Sequence, residues 1–363
     1  MKLITLLFFF TLSFSLFADS FESYSFDTSI GKTDVLIGLQ NDKIIFEKYS
    51  NHFNFNTPHV LHSLNKLFLN ALIGNLEKNN LLSVYQPIQN TINDAYTSKI
   101  TIDALMRMSS GLRTFTDPDT MEAINPGIIR PLDIIPDKLY DFYLLKSLPL
   151  HPPHTSYNYC FYDNNLLIQH LEDRFGREKL HNMMLNFFDQ YNFKETKIFI
   201  NSSNKFLFDD YNSFLNKILM KYNLKDMFYL PISLQSGTSS AKDILSLAKL
   251  YLPMKNEIFT SKWKSDSFSS NPQDFIKSRT LSSFFAPYSY GRFWFLNTPH
   301  ADGTKVYPLL PSDVAVIHGL KGQMLAIFPT QKAIYLRLAH DNRDSKFDRE
   351  KSLNQFYSEF LKK

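Results

Sequence analysis

Strand-like runs stand near both ends of this chain with helix-like runs between them, so a sheet has to be assembled from segments far apart in sequence. Near the start, Val35-Leu36-Ile37-Gly38-Leu39-Gln40 and Lys43-Ile44-Ile45-Phe46-Glu47-Lys48 flank Asn41-Asp42, a strand-turn-strand pattern. The last third supplies Tyr290-Gly291-Arg292-Phe293-Trp294-Phe295-Leu296, Met324-Leu325-Ala326-Ile327-Phe328 and Ala333-Ile334-Tyr335-Leu336-Arg337-Leu338. Pro329-Thr330-Gln331-Lys332 reads as the hairpin connection between the last two. From Thr101 to about Tyr222 the spacing turns helical with proline interruptions, as in residues 103–108 and 166–172. Gly237-Thr238-Ser239-Ser240 is expected to start a further helix, Lys242 through Leu252, with a serine or threonine as N-cap. Residues 353–361 close the chain with helical spacing. The pattern predicts an α+β fold: an antiparallel sheet formed by both chain ends, flanked by helices, with a mainly helical subdomain inserted. Its expected divisions are residues 19–100 and 225–363 for the sheet-containing part and 101–224 for the helical part of one domain, 19–363. With 363 residues, 44% of them hydrophobic, the chain is long and apolar enough for a large core.

Residues 1–18 carry one lysine, an apolar run at 3–10 and small residues ending at Ala18, which reads as a cleavable secretory signal. An uncleaved anchor is the alternative. After cleavage no stable membrane span is expected. Cys160 is the one cysteine, so no intramolecular disulfide forms; export without disulfides points to a periplasmic or secreted bacterial protein. The net charge of +4 is scattered rather than gathered in a stripe, and nucleic acid is not an expected partner. Two histidine pairs, His59-Val60-Leu61-His62 and His151-Pro152-Pro153-His154, hint at metal, but neither has an obvious carboxylate companion at ligand spacing. The expectation is therefore no metal and no cofactor. The oligomeric state is not legible.

The chemistry-bearing motif is Ser63-Leu64-Asn65-Lys66, which precedes a helix-like run at residues 67–74. A serine one turn before a lysine places hydroxyl and amine on one face, the arrangement of a nucleophile with its own base. Spacing alone does not select it, because Ser29/Lys32, Ser202/Lys205, Ser239/Lys242, Ser246/Lys249 and Ser261/Lys264 share it. The structural alternative for Ser63 is an N-cap with Lys66 in solvent.

Context separates Ser63 from the others. Thr101-Ile102-Asp103-Ala104-Leu105-Met106-Arg107-Met108-Ser109-Ser110-Gly111-Leu112 resembles the leucine-rich helix and Ser-Gly-Leu stretch that follow the nucleophile helix in beta-lactamase-related serine hydrolases. That superfamily includes class C beta-lactamases, D,D-carboxypeptidases, related esterases and 6-aminohexanoate-dimer hydrolases. The likeness runs from the hairpin before Ser63 to the strand after Pro329, and residues 80–87 look like the loop after the nucleophile helix. It implies a beta-lactamase/transpeptidase-like fold and an acyl-enzyme on Ser63, with Lys66 as base.

The resemblance also implies a tyrosine shortly before a Leu-Leu helix. Counting back from Leu166-Leu167 and Gly176 selects Tyr159, with Tyr162-Asp163-Asn164 as the runner-up. In that register Cys160 and Phe161 replace polar residues of the family motif, and Cys160 reads as a small thiol lining the pocket. The third motif falls on Val316-Ile317-His318-Gly319-Leu320-Lys321-Gly322-Gln323, which looks most like the 6-aminohexanoate-dimer hydrolase branch. Ile317-His318-Gly319 then stands where beta-lactamases carry Lys-Thr-Gly, and the backbone amides of Leu320 and Ser63 are the implied oxyanion donors. His318 either contacts substrate or makes a structural hydrogen bond. Tyr290-Gly291-Arg292-Phe293-Trp294 resembles the family's Tyr-Gly-x-x-Trp strand, with Trp294 in the core.

The expected partner is a small-molecule or peptide-like ester or amide substrate. Two other readings stay open: a D,D-peptidase or beta-lactamase acting on cell-wall-like substrates, and a catalytically weak peptide- or glycan-binding protein that keeps the fold.

Overall fold

The runs predicted as terminal strands do pair. In the computed structural model, which describes residues 20–88, 99–112, 152–155, 157, 159, 161–200, 235–253, 258–270, 289–300, 302–341 and 345–362, strand β1 (Thr33–Gln40) is the link between the two chain ends. It pairs antiparallel with β2 (Lys43–Tyr49) on one side and β10 (Ala333–Ala339) on the other. Asn41 and Asp42 both take positive φ (49° and 65°), the geometry that two-residue hairpins favour and that Asn and Asp tolerate. Beyond β10 follow β9 (Met324–Phe328), β8 (Ala315–His318), β7 (Phe295–Leu296) and β6 (Ser289–Tyr290), in the order β2-β1-β10-β9-β8-β7-β6. A smaller sheet joins β3 (His59–Val60), β5 (Gln235–Ser239) and β4 (Lys197–Ile200) in the order β3-β5-β4.

Helices cover both faces of the large sheet, which is why β10 is buried at every position and β1 at all but its last. On one face lie α1 (Phe21–Ser25) and the C-terminal α8 (Arg349–Phe356), with Phe21, Tyr335 and Phe356 in mutual ring contact. Gly38 permits this approach, since a Cβ there would stand 2.4 Å from the Phe356 ring. The other face carries α2 (Lys66–Lys78) and α6 (Ala241–Lys249). Every residue from Lys66 to Gly74 is buried, so α2 is a central helix rather than a surface one. Its middle is fixed by Asn70, which donates to Arg292 O (2.8 Å) and Ser267 Oγ (3.3 Å) and accepts from Tyr251 (2.6 Å) and Trp263 Nε1 (2.8 Å). The remaining described helices are α3 (Ile102–Met106), α4 (Phe161–Phe175), α5 (Arg177–Gln190) and α7 (Ser261–Ser267).

Two local expectations are corrected. The continuous strand predicted over Tyr290 to Leu296 is split into β6 and β7 by a tight turn, in which Gly291 N donates to Trp294 O at 2.8 Å. Gly291 fits there because a Cβ would lie only 2.0 Å from Ser267 O, and Trp294 is fully buried. The helix expected after Gly237 does form as α6, capped by Ser240, whose Oγ accepts from Asp243 N, with Gly237-Thr238-Ser239 leading into it as the end of β5. The mainly helical middle also contributes β4 to the smaller sheet. The predicted signal, Cys160 and His151 lie outside the described residues, among which no helix is long and apolar enough to cross a membrane.

Candidate active site

Strand β3 delivers the chain to the Ser63 motif. Leu61 N is held by Gly237 O at 2.9 Å, and Leu61 and Leu64 are fully buried, so the segment is anchored on both sides of the serine. His62 takes φ of 49°, an uncommon left-handed conformation for a residue with a Cβ, and a 3₁₀ turn over His62–Asn65 leads directly into α2. Burial, with the nearby charges of His59 and Lys321 adding to it, pushes His62 down to about 3.

Upstream, His59 meets a carboxylate from a distant part of the chain. Its Nε2 lies 3.0 Å from Asp34 Oδ2, a carboxylate supplied by β1, while its Nδ1 faces Val60 O at 2.9 Å. His340 Nδ1 approaches the same Asp34 oxygen at 2.6 Å. Burial would raise the Asp34 carboxyl, but the hydrogen bonds and charges of the two histidines outweigh it and hold it below the usual value. The pair thus ties β3 to β1. Among the described residues, no group of His, Cys, Asp and Glu side chains is arranged to hold a metal ion.

Ser63, Lys66 and Tyr159 come together. Ser63 Oγ and Tyr159 Oη are hydrogen-bonded at 3.1 Å, and Lys66 Nζ donates to Tyr159 Oη at 3.0 Å. Lys66 is 3% exposed, and its Nζ also sits 5.3 Å from the centre of the Tyr159 ring. Among the described residues no ion pair engages it. The Tyr159 ring is stacked on Phe295 at 6.1 Å and meets Tyr290 edge-on at 6.3 Å. Tyr162, the runner-up, lies inside α4 instead of before it.

The Ser-Gly-Leu stretch explains how the tyrosine segment is held. Ser110 Oγ donates to Asp163 Oδ1 at 2.5 Å in the first turn of α4, and His154 N donates to Ser109 O at 2.8 Å. Both contacts flank Tyr159. Burial, with the negative potential of Tyr159, Tyr157 and Asp163 adding to it, raises Tyr290 well above the ordinary tyrosine value. The wall behind Tyr159 is aromatic, formed by Phe295 and Tyr290.

Strand β8 packs against the Ser63 turn, and Gly319 follows it. A Cβ at Gly319 would stand 3.0 Å from Leu61 O and 2.7 Å from Gln323 Cβ, so only glycine allows so close an approach to the nucleophile's turn. Leu320 begins a 3₁₀ turn, Leu320–Gly322, and its side chain is 50% exposed. Ser63 and Leu320 thus both sit in first turns of 3₁₀ helices, positions whose amides have no partner within the turn. The His318 ring is engaged through one of its two nitrogens, Nδ1 having no hydrogen-bond partner among the described residues. Its Nε2 is bonded to Tyr307 Oη at 2.7 Å and its ring packs on Phe295 at 5.3 Å, while burial and Arg349 keep its pKa well below the usual value. Asn297 secures the Tyr307 loop by bonds to the Tyr307 backbone on both sides of its amide (2.8 and 3.0 Å). Sequence reasoning missed Tyr307, Asn297 and Asp34, which have no local pattern.

A family model described as Beta-lactamase matches residues 32–354. No curated protein matches significantly. Among solved structures, the beta-lactamase/D-alanine carboxypeptidase from Yersinia pestis complexed with citrate is 14% identical, with a TM-score of 0.65 over 93% of this chain and 95% of that one. The penicillin binding protein from Bacillus halodurans is 15% identical, with a TM-score of 0.60 over 90% and 96%. The octameric penicillin-binding protein homologue from Pyrococcus abyssi is 14% identical, with a TM-score of 0.60 over 91% and 73%. Identities this low speak to the fold.

Proposed function

Because this chain belongs to the beta-lactamase family of serine hydrolases and has its beta-lactamase/transpeptidase-like α+β fold, we propose that it cleaves a small ester or amide through an acyl-enzyme on Ser63. The observation that carries this reading is the Tyr159 hydroxyl, bonded to both Ser63 Oγ and Lys66 Nζ. In the proposed cycle Ser63 Oγ attacks the carbonyl carbon while its proton passes to the Tyr159/Lys66 pair. The carbonyl oxygen takes up the negative charge and is met by the Ser63 and Leu320 amides, each worth about 3 kcal/mol on the usual mutational scale. Collapse breaks the bond to the leaving alcohol or amine, which takes the proton back. Water, deprotonated by the same pair, then releases the acid.

The substrate is proposed to carry no essential carboxylate next to β8. The Lys-Thr pair of beta-lactamases is replaced by Ile317-His318, and the His318 ring is uncharged and engaged by Tyr307. Export to the periplasm or medium belongs to the same proposal and rests on the signal-like pattern of residues 1–18. The test is intact-mass analysis after treatment with a fluorophosphonate. One adduct on the wild type and none on Ser63→Ala is expected; no adduct, or an equal one on the variant, overturns the assignment.

A further inference from the structure

We propose that the buried Arg337–Asp341 ion pair is a positioning device for the reaction: it fixes the Leu320-Lys321-Gly322 turn and so holds the Leu320 amide beside the nucleophile's turn. This inference rests on the acyl-enzyme reading above. Arg337 is fully buried near the end of β10. Its guanidinium donates to both Asp341 oxygens (2.7 and 3.0 Å), to Gly322 O (3.0 Å) and to Thr33 Oγ1 (2.9 Å). Phe347 covers it at 3.5 Å. Asp341 in turn donates its backbone N–H to Lys321 O at 3.1 Å and accepts from Lys32 N at 2.6 Å.

The turn needs such a clamp. Lys321 takes φ of 60° and Gly322 φ of 88°, so two consecutive residues lie in the left-handed region, the first of them with a Cβ. Left free, this backbone would relax toward commoner conformations. Gly322 also has to be glycine for the clamp to close, because a Cβ would come within 2.2 Å of both Arg337 Nη1 and Asp341 Oδ2. The carbonyls of Lys321 and Gly322 are thereby engaged from behind, and Arg349 Nη2 engages Gly319 O at 3.2 Å. A buried ion pair is a poor source of stability compared with apolar side chains of the same volume, whereas its bidentate geometry specifies a backbone arrangement.

Both proposed oxyanion donors are tied to one place on the sheet. At the bulge between Thr33 and Val35, adjacent residues of β1 reach the two turns: Thr33 binds Arg337, and Asp34 binds His59, four residues before Ser63. The bulge therefore sets the spacing of the two turns from a common anchor.

The experiment measures the rate of Ser63 phosphonylation by a fluorophosphonate, per folded protein, alongside melting. The variants are Asp341→Asn, which keeps shape and removes the charge, and Tyr335→Phe, which shares β10 with Arg337 but loses a buried hydrogen bond to Ser352 of α8, away from the turn. Asp341→Asn is expected to react about tenfold to a hundredfold more slowly, and Tyr335→Phe at the wild-type rate despite its lower melting point. The preference for p-nitrophenyl acetate over its thionoester, which reads oxyanion geometry and not fold stability, is expected to shrink in Asp341→Asn alone. Should Asp341→Asn not fold, Thr33→Val, which takes one bond from the guanidinium, decides with a slowing of roughly threefold. Wild-type rate and wild-type thionoester preference in the folded variant overturn the inference alone. A wild type that takes no label on Ser63 overturns the proposed function and the inference together.

Discussion

Tyr159→Phe separates chemistry from folding more cleanly than any other change in this protein. The hydroxyl it removes is, among the described residues, the hydrogen-bond partner of both Ser63 Oγ (3.1 Å) and Lys66 Nζ (3.0 Å). The ring stays, with its stacking on Phe295 and its edge contact with Tyr290. Stranding the buried Lys66 amine costs about 1–3 kcal/mol and the lost bond to Ser63 about 1 kcal/mol, so together they set a loss of about 2–4 kcal/mol in unfolding free energy. Losing a positioned proton carrier costs about 10²–10⁴ in rate, or about 3–5 kcal/mol of barrier. Release of nitrophenol from p-nitrophenyl acetate should therefore fall by at least two orders of magnitude in a protein that still melts cooperatively. Tyr162→Phe should leave the rate unchanged, because that residue lies within α4. A Tyr159→Phe protein that hydrolyses the ester within about threefold of wild type, with Ser63→Ala inactive, would refute the relay through Tyr159.

Further outcomes follow from the surrounding structure. Asn70→Ala strands the Trp263 Nε1 and Tyr251 hydroxyl donors in a dry core and should cost about 3–5 kcal/mol in urea denaturation. His62 is held down at about 3 by burial, so between pH 6.5 and 3 the unfolded chain takes up a proton that the folded one refuses. Stability then drops as pH falls through that window, by at most about 1.4 kcal/mol per pH unit. His62→Asn, which tolerates the left-handed backbone, should flatten this slope in pH-dependent melting. Asp34 acts lower: its folded value is depressed, so its contribution is complete above the ordinary 3.8 and is lost as pH falls through the folded value. Asp34→Asn should lower stability at neutral pH and remove that acid segment. Nitrocefin should be turned over far more slowly than p-nitrophenyl acetate, since β8 carries Ile317-His318 in place of a lysine-threonine pair; equal rates by absorbance would contradict this.

What could be read from the sequence is what neighbouring residues encode. The Asn41-Asp42 turn, the apolar runs of β9 and β10 and the Ser63/Lys66 spacing are local patterns, and each has its structural counterpart. Counting back from α4 selects Tyr159, which stands before that helix and whose hydroxyl meets Ser63 Oγ. Local pattern failed where a distant contact overrode it. Gly291 breaks the predicted strand where Ser267 O of α7 leaves no room for a Cβ. The supports of the site were invisible for the same reason. Arg337 meets Thr33 across 304 residues and Asp34 meets His340 across 306. No periodicity marks such pairs, and a buried arginine or aspartate looks like any surface charge until its partner is known.

The central claim is that Ser63 carries the acyl group during turnover. Acid quench of the first turnover of p-nitrophenyl acetate, followed by peptide mapping, tests it directly. The account predicts an acetyl group on the peptide containing Ser63, accumulating at the rate of nitrophenol release and absent from Ser63→Ala. Ester hydrolysis with no acetylated Ser63 at any quench time, or unchanged hydrolysis by Ser63→Ala, would contradict it.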